Sequence, residues 1–194
     1  MKRALIVSGC VIALALAACG KQQAANEVSD ISAVASDAAA SSNALTIQTN
    51  LAAADFVDMA AAGDMYEIQA AKIALKRSKT PDVQALAKMM IQDHAKSTAL
   101  IKKAIADSGQ QIELPSTLPN DKQELIGALD AASDEAFDKT YLAQQANAHR
   151  DALVLMTGYA SSGGDPHLKA AAGQIAPVVQ MHIDKIMSIQ NATP

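Results

Sequence analysis

Four long stretches of the chain repeat their apolar residues at steps of three and four, the spacing that places side chains on one face of an α-helix. These stretches run over about residues 51–78, 81–108, 133–160 and 166–189. The joins inside the first and the last pair are short and carry the segments Thr80-Pro81-Asp82 and Gly163-Gly164-Asp165-Pro166. Short joins place consecutive helices side by side in opposite directions. The sequence therefore predicts an all-α fold, an antiparallel up-down four-helix bundle.

A longer connection separates the second and third helices. Within it, residues 121–129 are predicted to form a short extra helix that packs across one end of the bundle. The composition agrees with helices, because half of the residues are hydrophobic, only 3% are aromatic, and Ala is abundant. The chain lacks the aromatic and basic surface that is typical of nucleic-acid binding, so no nucleic-acid partner is expected.

The N-terminus has the features of an export signal. Lys2 and Arg3 precede an apolar run over residues 4–15, which is too short to span a bilayer. The segment Leu16-Ala17-Ala18-Cys19 then resembles the lipobox of bacterial lipoproteins. This resemblance implies cleavage before Cys19 and a diacylglycerol on its thiol, with an ordinary secretory signal as the alternative. Gly20 occupies the place of the usual inner-membrane retention signal, which implies the periplasmic face of the outer membrane.

Three segments follow from this interpretation. Residues 1–18 are the lipoprotein signal peptide, 19–50 are the lipidated cysteine and a flexible polar tether, and 51–190 are the bundle. Removal of the signal takes away two basic residues, so 16 become 14 against 20 acidic residues, a net charge of −6. Such a chain has no electrostatic attraction to anionic headgroups, and its membrane contact is expected through the lipid alone. Cys10 leaves with the signal, so the bundle has no thiol site.

Each long segment also replaces one apolar position of its stripe with a side chain that can bind a metal. These residues are Glu67, His94, His149 and His182. Counting from the turns places the first two level within roughly 3 Å and the last two within roughly 6 Å. Three imidazoles and a carboxylate on the bundle axis would bind one ion such as zinc, copper or iron. An acceptor must then fix the outer nitrogen of each imidazole, and Tyr141 and Gln145 are candidates for this role.

Two other interpretations remain open. Glu67 can accept hydrogen bonds from the histidines in a buried network without metal, or it can lie at the stripe edge and reach solvent. In either case the protein would be a non-catalytic structural or protein-interaction module of the cell envelope. The sequence contains no nucleophile elbow, phosphate loop or dinucleotide fingerprint, so it gives no indication of an enzyme. His167 is expected to be solvated.

The residues that carry a family resemblance span the predicted bundle, over about residues 51–190. They are Asp55-Phe56-Val57, Glu67, Asp93-His94, Phe137 with Tyr141, Ala148-His149, and Pro177 to His182. With these residues the chain resembles the bacterial domain of unknown function 4142 family. The resemblance implies a ferritin-like bundle that is exported or lipid-anchored, with no settled activity. We expect an envelope binding or stress-associated module whose core layer is either a site for one transition metal or a buried polar network.

The sequence departs from one ferritin-like feature. Di-iron sites of that fold pair a glutamate with a histidine three residues later on two of the helices. Here Ile91 and Val179 stand three residues before His94 and His182. Oxygen-activating di-iron chemistry and iron storage are therefore not expected.

Overall fold

The four periodic segments fold as helices. The computed structural model describes residues 51–192, which contain five helices and no strand. The helices are α1 (Ala53–Arg77), α2 (Pro81–Ser108), α3 (Asn120–Ala131), α4 (Asp134–Ser162) and α5 (Pro166–Ala192). The predicted all-α class and the short extra helix are confirmed. The predicted signal peptide, Cys19 and the tether lie outside the described residues.

Side chains just before α4 and α5 cap the first turns of these helices. The Ser133 hydroxyl accepts a hydrogen bond from the Ala136 N–H at 3.3 Å. The Asp165 carboxylate accepts from the N–H groups of His167 and Leu168, both at 2.9 Å. Each contact satisfies a backbone donor that has no partner inside its own helix.

The two ends of α2 are formed in different ways. Gly109 ends the helix with φ at +69°, the left-handed conformation that glycine adopts without a steric cost. Thr80 directly precedes α2, but its side chain does not cap the helix. Its hydroxyl donates instead to Oδ2 of Asp138 on α4 at 2.5 Å, so it joins two helices.

The long helices pack as a bundle in which α1 contacts α2 and α4, and α5 contacts α2 and α4. The short helix α3 packs on α1 and α4, and it buries Ile126 and Leu129. Arg77 at the end of α1 fixes the end of α3. Its guanidinium donates to the carbonyls of Leu129, Asp130 and Ala132 and pairs with Asp134.

The core consists of two hydrophobic clusters. The first cluster includes Phe56, Ile101, Ile105, Leu155, Met156, Tyr159, Leu168 and Ile175. The second cluster includes Tyr66, Ala70, Val83, Leu86, Met90, Phe137, Tyr141 and Ile186. Along α2 and α4 the buried polar residues His94 and His149 lie between the two sets, and on α1 the buried Glu67 directly follows Tyr66, the first residue of the second set. A polar layer therefore lies between two apolar ones, at the depth that the stripes predict.

The packing of Tyr159 leads to a prediction about Gly163. The Tyr159 ring stacks on Phe56 with centroids 3.9 Å apart, and a Cβ at Gly163 would lie 2.5 Å from the same ring. We expect Gly163→Ala to lower the free energy of unfolding by about 1–3 kcal/mol, because the ring must move out of its stack. Chemical denaturation of the metal-free protein measures this change.

Gly158 is the matched control, since it lies inside α4 and an added Cβ meets no atom within 4 Å. There the substitution by Ala removes a weak helix former, and we expect a stabilisation of up to about 1 kcal/mol. Equal effects of the two substitutions would contradict the role given to the Tyr159 stack.

Candidate metal centre

The four polar side chains predicted from the stripes meet in the bundle interior. Glu67 is 2% exposed, His94 4%, His149 0% and His182 1%. The interpretation in which Glu67 reaches solvent at the stripe edge is therefore wrong. The three imidazole rings form a nearly equilateral triangle, with centroids 5.2 to 5.3 Å apart. His167 is exposed, as expected, and is not part of this group.

One nitrogen of each imidazole points toward the other two rings. Nε2 of His149 lies 3.4 Å from Nε2 of His94 and 3.1 Å from Nδ1 of His182. The three histidines can present one nitrogen each with all three atoms within 4.8 Å of one another. Nitrogens that bind one ion at about 2.0–2.1 Å in a tetrahedral arrangement are separated by about 3.3 Å. The two measured separations lie on either side of this value.

The outer nitrogen of His94 faces two buried carboxylates. Its Nδ1 lies 2.8 Å from Oδ1 of Asp64 and 3.1 Å from Oε2 of Glu67. The Thr98 hydroxyl donates to the other oxygen of Asp64 at 2.8 Å. The ring of His94 is thus oriented by α1, and Thr98 orients Asp64 in turn.

The outer nitrogens of the other two histidines also face acceptors. His149 Nδ1 lies 2.9 Å from the backbone carbonyl oxygen of Gln145 and 3.2 Å from Oε1 of Glu67. His182 Nε2 lies 3.2 Å from Oδ2 of Asp93. An acceptor on the outer nitrogen is the arrangement that orients histidine ligands in metal proteins.

The positions of these groups refine the predicted arrangement. Glu67 belongs to the cluster, but it contacts the outer nitrogens of His94 and His149 rather than standing with the three inner ones. The main-chain carbonyl of Gln145 faces Nδ1 of His149, whereas its side-chain amide is buried without a hydrogen-bond partner among the described residues. The hydroxyl of Tyr141 is buried and has no hydrogen-bond partner among the described residues. Tyr141 therefore holds none of the histidines in place.

Asp64 and Asp93 are the two residues whose role the sequence interpretation missed. Asp64 stands three residues before Glu67, so the two carboxylates share one face of α1. Asp93 directly precedes His94, and on a helix adjacent residues point in different directions. Helical spacing could have identified Asp64, whereas the contact of Asp93 with α5 depends on how α2 and α5 pack.

The outer acceptors determine which nitrogens carry hydrogen. An N–H is required at His94 Nδ1, His149 Nδ1 and His182 Nε2, because a carboxylate or carbonyl oxygen faces each of these atoms. In neutral imidazoles the three inner nitrogens then all carry lone pairs. Three lone pairs directed at one another repel, and a cation placed among them removes this repulsion.

The electrostatic surroundings give the three imidazoles different proton affinities. Burial by itself lowers the pKa of His94, but the carboxylates of Glu67 and Asp64 outweigh it and raise the pKa to about 9. Burial and the charge of His94 lower the pKa of His149 to about 3, and they also lower that of His182. Burial raises the pKa of Glu67 to about 7, against the opposing charge of His94. Of the three imidazoles, His94 is therefore the one that these surroundings favour in the charged form.

Two cavities reach this layer from different sides. A cavity of about 490 Å³ extends mainly between α1 and α4 and reaches Asp64, Glu67 and His94. A smaller cavity of about 130 Å³ lies between α2 and α5 and reaches His94 and His182. Both cavities thus extend to side chains of the buried cluster.

The comparisons with known proteins place the chain in a family. The profile of the family described as "Domain of unknown function (DUF4142)" matches residues 20–189, so the chain belongs to it, as the resemblance implied. No curated protein matches the chain. Among solved structures the chain is similar to "CopM in the Cu(II)-bound form", with a TM-score of 0.61. The likeness covers 73% of this chain and 98% of that one at 17% identity, which supports the helical fold.

The contact between His94 and Asp64 leads to a pH-dependent prediction. The folded pKa of His94, about 9, lies above the ordinary value of about 6.5, so the ion pair contributes fully below pH 6.5. This contribution is lost as the pH rises through 9. We expect Asp64→Asn to lower the free energy of unfolding of the metal-free protein by about 2 kcal/mol at pH 6, because a charge-assisted hydrogen bond becomes a neutral one. Denaturation between pH 6 and 10 should show this deficit shrinking.

Asp184→Asn serves as the control, since Asp184 is exposed and accepts a hydrogen bond only from Gln180 on its own helix among the contacts described. Its effect should stay within about 0.5 kcal/mol at every pH. A deficit of Asp64→Asn that stays constant from pH 6 to 10 would contradict the charged state assigned to His94.

Proposed function

We propose that this protein binds one transition-metal ion through His94 Nε2, His149 Nε2 and His182 Nδ1. The observation that carries the proposal is the 3.1 Å separation of His149 Nε2 and His182 Nδ1. Both atoms carry lone pairs, because Gln145 and Asp93 hold the hydrogens of the outer nitrogens. The protonated His94 supplies a single N–H toward this group. The contact between His149 Nε2 and His182 Nδ1 therefore has no hydrogen between its two nitrogens.

The charges around the cluster suit a divalent ion. Asp64 and Glu67 stand behind the imidazole of His94 and supply two negative charges when both are ionised. A divalent ion that displaces the inner proton of His94 keeps the Nδ1–H bonds to these carboxylates and neutralises their charge. The larger cavity is also lined by Asp58, Asp121 and Asp151, which attract cations toward the layer.

The alternative is a structural module whose buried polar network binds no metal. This network explains the contacts of the outer nitrogens equally well. It requires a second proton among the inner nitrogens, however, and burial together with the charge of His94 lowers the pKa of both His149 and His182. The arrangement of the three inner nitrogens therefore favours a bound metal ion over a network of hydrogen bonds alone.

Divalent copper is the first ion to test. Imidazole ligands bind copper, zinc and iron, and Cu²⁺ has the highest affinity of the divalent first-row ions. CopM, a protein of similar fold, has been solved in a Cu(II)-bound form. Three nitrogen ligands are also compatible with zinc, which leaves a fourth position for water. Binding of the ion, rather than a reaction, is the role proposed.

We further propose that neighbouring long helices run antiparallel, as in ferritin-like folds. The cluster memberships support this arrangement. Followed from beginning to end, α1 and α5 each pass from the first cluster to the second. Helices α2 and α4 each pass from the second cluster to the first. Since α2 contacts α5 and α1 contacts α4, each neighbouring pair is then opposed. The 109–133 connection would be the single long crossover of such folds.

The proposed location is the periplasmic face of the outer membrane, with the domain held by a lipid on Cys19. The charged start, the short apolar run and the lipobox-like sequence of residues 2–19 support this location. None of the helices in residues 51–192 is long and apolar enough to cross a membrane.

Metal content tests the central proposal. Protein purified without an affinity tag and loaded with Cu²⁺ should retain one ion per chain after desalting, as measured by elemental analysis. The His94→Ala, His149→Ala double variant should retain none. At a free ion concentration a thousand times the Kd, the wild type should gain about 4 kcal/mol of stability, because the ion binds only the folded state.

His167→Ala is the matched control, because His167 is exposed and lies at the beginning of α5, whereas His182 lies in the second half of that helix. This variant should retain the ion and its stabilisation in full. Wild-type protein that melts at the same temperature with and without Cu²⁺, Zn²⁺ or Fe²⁺ would overturn the metal proposal and favour the structural module.

The lipid anchor is tested by substitution of the two cysteines. Cys19→Ser should abolish incorporation of a labelled fatty acid and release the protein from the membrane fraction. Cys10→Ser should leave both unchanged, because Cys10 lies in the segment that the peptidase removes. Labelling that survives in Cys19→Ser would place the anchor elsewhere.

A further inference from the structure

The smaller cavity lies directly beside the proposed metal position. Its volume is about 130 Å³, and residues of α2 and α5 form its walls, among them His94 and His182. Three histidine ligands leave at least one coordination position of Cu²⁺ or Zn²⁺ free for an exogenous ligand. The cavity supplies the space that such a ligand needs, on the side that His94 and His182 line.

Ser97 adds a polar group to this cavity. It stands three residues after His94 on α2, lines the same cavity and is 6% exposed. Its hydroxyl is buried and has no hydrogen-bond partner among residues 51–192. A buried hydroxyl without a partner carries a cost of about 1–3 kcal/mol, which a hydrogen bond to a ligand in the cavity would remove.

The walls limit the kind of ligand. A water molecule occupies about 30 Å³ of liquid volume, so the cavity accepts a ligand of only a few heavy atoms. Leu100, Ile175 and Val178 make one part of the wall apolar, and the charges of Lys96 and Asp93 in the lining pair with each other at 2.9 Å. Small size, the Ser97 hydroxyl as a donor and the positive charge of the bound ion together favour a small anion.

On these grounds we propose that a small monoanion of two or three heavy atoms binds the metal from the α2–α5 cavity and accepts a hydrogen bond from Ser97. This inference rests on the proposed function, because the ion supplies one of the two contacts. It describes the layer as a metal site that can bind a ligand from solution, rather than a structural metal site whose ligands all come from the protein.

Azide is the probe for this site. Full-length protein in detergent, loaded with one Cu²⁺, is titrated with azide while the optical absorption and the electron paramagnetic resonance spectrum are recorded. We expect saturable binding that changes both spectra. Val178→Phe should abolish this response, because the larger side chain fills the cavity, while the copper signal without azide persists.

Val154→Phe is the matched control. Val154 is 46% exposed and lines the other, larger cavity, so its enlargement should leave azide binding unchanged. Loss of azide binding in Val154→Phe, with full binding in Val178→Phe, would overturn the assignment to the α2–α5 cavity.

Ser97→Ala tests the hydrogen bond with a smaller structural change. We expect the Kd for azide to rise about fivefold to tenfold, the effect of losing one hydrogen bond. Ser162→Ala, whose exposed hydroxyl bonds to a carbonyl of its own helix, should leave the Kd unchanged. An unchanged Kd in Ser97→Ala would overturn the role of Ser97.

The titration also separates this inference from the proposal on which it rests. Wild-type protein that retains no Cu²⁺ would overturn the metal site itself. Wild-type protein that retains Cu²⁺ in the histidine site, but shows the same spectra with and without azide, would overturn only the anion site.

Discussion

The orientation of three imidazoles by acceptors behind them is the interaction on which the site depends. Asp64 and Glu67, the Gln145 carbonyl and Asp93 take the outer hydrogens, so the inner nitrogen of each imidazole carries a lone pair when that imidazole is neutral. The chemistry of the site is therefore set by contacts that would lie outside a metal's own coordination shell. Without these acceptors, three histidines at the same distances could place hydrogens on their inner nitrogens and form ordinary N–H to nitrogen hydrogen bonds with one another.

Burial of such a layer is costly, and the fold compensates for it on both sides. The two hydrophobic clusters enclose the layer and exclude most of the water, so ionised groups there interact strongly but lose their hydration. The raised pKa of Glu67 and the lowered pKa of His149 both reflect this loss. Abundant alanine lets the helices approach closely, which brings side chains from four helices within contact distance.

The two cavities give the layer two chemically different approaches. Carboxylates dominate the larger cavity between α1 and α4, and this side suits a cation. The smaller cavity between α2 and α5 combines an apolar wall with Ser97, and it suits a small ligand of the bound ion.

The sequence by itself determined the helices, their buried faces and the identity of the four polar residues, because helical periodicity and turn residues are local properties of the chain. It predicted that Glu67, His94, His149 and His182 are buried at a common level. Only the tertiary structure decided which nitrogen of each ring points inward, and that Glu67 stands behind the rings. The contact of His182 with Asp93 and the cavity beside Ser97 likewise depend on how α2 packs against α5. Side-chain direction across a helix interface depends on the rotation and separation of both helices, and no periodicity within one helix specifies these quantities.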